Sequence, residues 1–230
     1  MTRRAGAAAV AVALLASINP AAVLPAGLFL GFLEAGALAM QRYMFESRAT
    51  REQFAQIAVT SRANAAGNPA AVYREPLTVD DYLSARMISE PLCVYDCDVP
   101  IDGALAVVVS RADSGAMDRR RAIRLEAVGT ATGWDASADM LWSRTDLKPS
   151  DVDVAELYDP FSFEIIRQLE AFELCREGEG GAFVEAGNIG PNGRLPVTTD
   201  GGTMSFSHPG INAQMLQRVI RGVEQLRGTC

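Results

Sequence analysis

The chain has 230 residues, 49% of them hydrophobic and 21% charged, with 21 Lys and Arg against 28 Asp and Glu for a formal net charge of -7. That apolar content excludes a disordered chain, and the length holds one large domain or two small ones with ample core. The acidic balance argues against a nucleic-acid partner, since phosphate binding needs a basic face.

The start, "MTRRAGAAAVAVALLASINPAAVLPAGLFLGFLEAG", sets two arginines before an uncharged run that lasts to Glu34. It imitates a signal peptide, but Asn19, Pro20 and Pro25 break it well short of the roughly 20 residues a membrane span needs. It reads as an alanine-rich core helix or a truncated buried segment. Residues 27–46 then predict a helix with Leu30, Leu33, Ala37, Met40 and Met44 on one face. "TREQFAQIAVTSRANAAGNP" opens with a capping box, Thr50 with Gln53, continues through Phe54, Ile57 and Ala58, and stops at Gly67 and Pro69. "TVDDYLSARMISEP" predicts a shorter helix capped by Thr78 and ended near Glu90 by Pro91.

"GALAVVVSR", from Gly103, is a nearly continuous apolar run with three consecutive valines, the pattern of a strand buried on both faces. "AIRLEAVGTATG" alternates Ile123, Leu125 and Ala127 and predicts a second strand, and "VDVAELY" a third. A helix follows in "DPFSFEIIRQLEAFELC", with Asp159 as N-cap and Pro160 at the first helical position. The last helix is expected from Pro209 to Arg227, burying Ile211, Met215, Val219, Val223 and Leu226. Strands alternating with helices predict an α/β layered fold. A composition shift over "SRADSGAMDRRR", residues 110–121, divides the chain into halves 1–115 and 116–230.

The chain uses histidine once, at position 208, in "TTDGGTMSFSHPGINAQ". His208 follows a glycine loop and precedes Pro209, so it is expected at or just before a helix N-terminus. There the positive end of the macrodipole favours a neutral imidazole able to act as a base, and nearby N–H groups can bind an oxyanion. The alternative is a histidine that only caps a helix. Tyr158 closes the third strand, and the carboxyl ends of strands face the crevice of open α/β sheets. Its phenol can donate to, or take a proton from, a substrate oxygen, or simply pack over the sheet end.

The four cysteines, Cys93, Cys97, Cys175 and Cys230, lack disulfide-framework spacing, and with one histidine a zinc set is not expected. None opens a helix after a strand, so each reads as a small core residue in the reduced state. "EGEGGAFVEAGNIGPNGRLPVTTDGG" has neither G-x-G-x-x-G nor a Walker lysine, and reads as a pocket-lining loop.

As a set, "RYMFESRATREQFAQIAVTSRANAAGNP", "LCVYDCDVPIDGALAVVVSRAD", "VDVAELYDPFSFEIIRQLEAF", "LPVTTDGGTMSFSHPG" and "VEQLRG" resemble the thiolase superfamily, nearest its sterol-carrier and lipid-transfer-protein thiolase branch. The resemblance runs from about residue 24 to the C-terminus. It implies a thiolase-like layered fold of two βαβαβαββ halves, here incomplete: the end of the first half plus most of the C-terminal half, without the nucleophile-bearing first part or the final strands. His208, Pro209 and Gly210 match the family's Gly-His-Pro type motif, whose histidine activates a cysteine. Tyr158 and Asp159 stand where thiolases carry an Asn-Glu or His-Asp pair in the oxyanion region, a departure from the acyl-transfer pattern. Gly201, Gly202 and Gly210 join Asp159 as implied substrate or oxyanion contacts.

The family-level function so implied is a cytoplasmic acyltransferase on acyl-coenzyme A thioesters in lipid or steroid side-chain metabolism, with His208 as base. It needs no cofactor beyond the coenzyme A of the substrate, and it implies a homodimer. An alternative is a retro-aldolase that cleaves a β-hydroxyacyl-coenzyme A beside an OB-fold protein partner, with Tyr158 taking the hydroxyl proton and His208 holding the enolate. A third is a non-catalytic, acyl-lipid-binding remnant.

Overall fold

The computed structural model describes residues 23–111, 122–208 and 211–230. The expected boundary at 110–121 therefore lies largely outside the described residues, as do most of the alanine-rich start and residues Pro209 and Gly210. The first helix, α1, runs Val23–Ser47 and buries Ala37 and Met40, with Leu33 and Met44 half-buried on the predicted stripe. It ends where Arg48 turns to φ +62. Helix α2, Arg51–Ala66, begins at Thr50, whose backbone N–H donates to Gln53 Oε1 at 3.2 Å as the sequence predicts. Phe54, Ile57 and Ala58 are fully withdrawn from water.

Helix α3 is shorter than predicted, covering only Val79–Leu83. Thr78 caps it, its Oγ1 accepting from the Asp81 N–H at 3.1 Å. Beyond it Met87–Ser89 (β1) pairs antiparallel with Leu92–Cys93 (β2) across the Glu90–Pro91 turn. Proline therefore shapes a hairpin here, where a helix stop was expected. A single helical turn, Val94–Asp96, follows.

Two predicted strands are not strands. Residues 103–111 and 122–131 form neither ladder nor helix, and Val108 and Val109 stand 93% and 82% exposed. An apolar β-branched run supplies one side of a ladder only, and a strand exists when a second backbone answers its N–H and C=O groups. Among the described residues none does so here. The third expected strand, 152–158, survives as one parallel bridge between Ala155 and Val197, with the Ala155 N–H on Pro196 O and the Thr198 N–H on Ala155 O, each 3.0 Å.

Helix α4, Trp134–Trp142, was not predicted. Helix α5, Ser162–Ala171, is capped by Phe161 and not by Asp159, so Pro160 lies before the helix rather than at its first position. The reason is that the Asp159 carboxylate is used elsewhere. Phe163, Ile165, Ile166 and Leu169 of α5 meet Met40 of α1 and Phe54 of α2 in one core. A short helix α6, Gly180–Glu185, interrupts the glycine-rich loop.

The last helix, α7, spans Ile211–Arg227 and reverses its predicted orientation. Met215, Val219 and Leu226 are exposed, while Gln217 and Arg218 are buried. Periodicity locates a face but not what it meets. Here the inward face carries a guanidinium because it meets carboxylates. The outcome is a mixed α/β molecule in which helices predominate and the one sheet among the described residues has two strands.

Candidate active site

Three segments, 96–101, 158–162 and 200–208, are laced into one cluster. Asp159 is 1% exposed, and both its carboxylate oxygens accept from the Thr203 N–H at 2.9 and 3.0 Å. The Thr203 hydroxyl donates back to Asp159 O at 2.5 Å. Thr203 O in turn accepts from the Val99 N–H at 2.9 Å, and Val99 O accepts from the His208 N–H at 2.9 Å. Isolated bridges join Cys97 to Phe161 and Pro100 to His208. Tyr158 is tied by its backbone to Gln168, whose Oε1 accepts from the Tyr158 N–H at 3.2 Å. The segments carrying Tyr158 and His208 therefore belong to one hydrogen-bonded unit.

Gly201 and Gly202 open the single π-helical turn Gly202–Phe206. Gly201 has φ +100 and Gly202 φ +64, and a Cβ on Gly202 would fall 2.0 Å from Asp159 Oδ2. Only glycine permits that backbone against that carboxylate. Their N–H groups are already taken, Gly201 by Thr198 O at 3.1 Å and Gly202 by Asp200 Oδ1 at 2.9 Å. Both glycines shape the turn that leads to His208. Helix α2 and the turn that follows it hold the same turn from behind: the Ser61 hydroxyl donates to Gly201 O at 2.6 Å, and Asn68 Nδ2 to Asp200 O at 3.1 Å.

Burial pushes the Asp159 carboxyl up to about 7, against the opposing pull of Arg218 and of the Thr203 N–H. Beside it Arg218 of α7 grips Asp200 with two parallel bonds, 2.8 and 2.9 Å, and reaches Glu156 at 3.2 Å. Sequence reasoning missed this buried trio. Arg218 sits one residue off the apolar stripe of α7, and that offset was the available signal.

His208 lies three residues before α7 and also has a carboxylate beside it. Its Nδ1 contacts the Asp98 carboxylate, while its Nε2 is buried and has no hydrogen-bond partner among the described residues. Asp98 also escaped the sequence reading, being one of several acids in "YDCDVPID". Two residues earlier, Asp96 is fully buried, accepting from the Tyr82 hydroxyl at 2.5 Å, the Cys93 N–H at 2.7 Å and the Ser162 hydroxyl. The thiols are not primed for attack. Burial pushes Cys93 up to about 11, and Cys97 and Cys175 up to about 12. The fourth, Cys230, is exposed rather than in the core.

The glycine-rich loop does line clefts. One, of about 1500 Å³, includes Gly178, Phe183 and Arg194, and a second, of about 560 Å³, includes Pro191 and Thr199. Neither is lined by His208, Tyr158 or Asp159. The hydrogen-bonded cluster, and not the larger cleft, links the backbone segments that carry them.

The chain belongs to the thiolase family: residues 115–230 match the family described as Thiolase C-terminal domain-like. Among relatives it is 35% identical over 214 residues to the 17-hydroxy-3-oxo-4-pregnene-20-carboxyl-CoA lyase of Mycobacterium tuberculosis, covering 84% of this chain and 54% of the lyase. It is 30% identical to the benzoylsuccinyl-CoA thiolase subunit BbsB of Thauera aromatica, with the same coverage. The solved Ltp2-ChsH2(DUF35) aldolase superposes with a TM-score of 0.69 at 27% identity, covering 84% of this chain and 55% of that one. The chain thus spans about half the length of the relatives it matches, and it shares the thiolase-like fold. No helix among the described residues is long and apolar enough to cross a membrane.

Proposed function

We propose that this chain carries the acid–base half of a carbon–carbon lyase that cleaves a β-hydroxyacyl-coenzyme A by a retro-aldol step. The observation that carries the proposal is an imidazole nitrogen, His208 Nε2, with no hydrogen-bond partner among the described residues. Acyl transfer needs a thiolate, whereas a retro-aldol step needs only a base and an oxyanion donor. The lyase and aldolase among its relatives support the same choice. Nε2 of His208 takes the β-hydroxyl proton, the Cα–Cβ bond breaks with its electron pair moving into the thioester enolate, and the β-oxygen becomes a carbonyl. The imidazolium then returns the proton to Cα. Tyr158 donates its hydroxyl to the thioester oxygen, a reversal of the roles expected from sequence, because the open nitrogen of His208 is an acceptor. Such a step calls for no cofactor, and an OB-fold partner and a second copy of the chain belong to the same proposal.

The test is turnover of a β-hydroxyacyl-coenzyme A by the full chain, read by mass spectrometry as a carbonyl product plus the shortened thioester. Cleavage should persist after iodoacetamide treatment and fall on the order of 100-fold or more in both Tyr158→Phe and His208→Ala. A burst of free coenzyme A that alkylation abolishes would restore acyl transfer. Tight acyl-lipid binding without turnover would favour the remnant.

A further inference from the structure

We propose that Asp98 is the positioning residue for His208, fixing its imidazole as the Nδ1–H tautomer with Nε2 held as a bare acceptor. The inference rests on the lyase reading for its catalytic meaning, but its physical basis is independent of turnover. A carboxylate only accepts hydrogen bonds, so the nitrogen that Asp98 contacts must carry the proton. A neutral imidazole has one N–H, and Nε2 is therefore left with its lone pair. That nitrogen is the buried one without a partner among the described residues.

The carboxylate is not free to leave. Its strand-like segment is pinned on both sides. On one side, Asp96 accepts from Tyr82, Ser162 and Cys93, and Cys97 bridges to Phe161. On the other, the Val99 N–H donates to Thr203 O at 2.9 Å. His208 is registered against that same segment, its N–H on Val99 O at 2.9 Å and its carbonyl accepting from the Ile101 N–H at 3.2 Å. Backbone bonds thus place side chains 98 and 208 side by side before any substrate arrives, the condition for a preorganised base. When Nε2 accepts a proton, the same carboxylate faces the imidazolium and stabilises it, as the buried aspartate of a serine-protease triad does.

The chain's single histidine makes the test direct. Ring-¹⁵N-histidine labelling of the full chain gives one pair of ring nitrogens, with no assignment to make. Where the imidazole is neutral, Nδ1 should show a pyrrole-type shift and Nε2 a pyridine-type shift. In Asp98→Asn the side-chain amide can donate to Nδ1, so the pattern should invert. Any cleavage activity should then drop on the order of 10²- to 10⁴-fold. Asp98→Glu keeps an acceptor and should retain the wild-type pattern. A wild-type chain with its proton on Nε2, or an Asp98→Asn chain with unchanged shifts, overturns the inference even if the chain cleaves substrate. The predicted pattern in an inactive chain leaves it standing and removes only the lyase reading. Should Asp98→Asn fail to fold, the wild-type and Asp98→Glu spectra still decide.

Discussion

At Asp159 two demands on a carboxyl conflict. Two oxygens receiving N–H bonds favour the ionised form, but complete burial disfavours it more, and the group is pushed from 3.8 up to about 7. The native state therefore keeps a proton there that the unfolded chain releases above pH 4, so the native state binds more protons across the window between about pH 4 and pH 7. Unfolding free energy then falls as pH rises through that window, and the contribution is complete below it. Glu156 and Asp96, also pushed up by burial, act in the same direction. Asp81 and Glu52 are held below their ordinary values by Thr78 and by backbone N–H bonds, and both are too exposed to reverse the trend. Urea unfolding measured from about pH 4 to 8 should show this decline, and Asp159→Asn should make it shallower. Stability that is flat or rising over the window would contradict it.

Helix α7 is where element-level reasoning is most exposed to test. Its stripe of Ile211, Met215, Val219, Val223 and Leu226 was read as the buried face, yet among the side chains described, from residue 215 on, the buried ones are Gln217 and Arg218. Arg218→Ala would leave Asp200 and Glu156 buried without their cation, a loss of about 3–5 kcal/mol. Val219→Ala, on the outward side, should cost less than about 0.5 kcal/mol. Equal shifts in the urea midpoint, or a larger one for Val219, would restore the sequence assignment. Helices α1, α2 and α5 were legible because their stripes bury against one another, so local pattern and tertiary environment agree. The strand at 103–111 was not, because β-structure depends on a partner backbone that local sequence does not contain. The site divides in the same way. His208 stood out by its rarity and Gly201–Gly202 by chemistry tied to φ, whereas Asp98, Asp200 and Arg218 act through contacts with residues distant in sequence. The N-cap at Asp159 failed for the same reason, its side chain having a competitor 44 residues away.

For the whole molecule, the surface that matters is the apolar one left in water. Val108 and Val109 are exposed, as are Leu125 and, separately, Met215, Val219 and Leu226 of α7. The segment from Ala104 to Val109 carries no charge, is β-branched at its end and meets no partner strand among the described residues, so it can pair with an identical segment. An exposed, uncharged β-branched segment of this kind favours edge-to-edge association. The chain should therefore self-associate with rising concentration in the micromolar range, as read by light scattering or sedimentation velocity. A double variant, Val108→Lys with Val109→Glu, keeps the net charge and touches only exposed side chains. It should suppress association while leaving the far-UV circular dichroism and the urea midpoint unchanged, because these side chains bury little on folding. Two results would argue against this surface. One is a wild-type chain that stays monomeric throughout the range. The other is a double variant that associates as strongly as its parent, which would move the contact to the outward face of α7 and make Val219→Lys the substitution that disperses it.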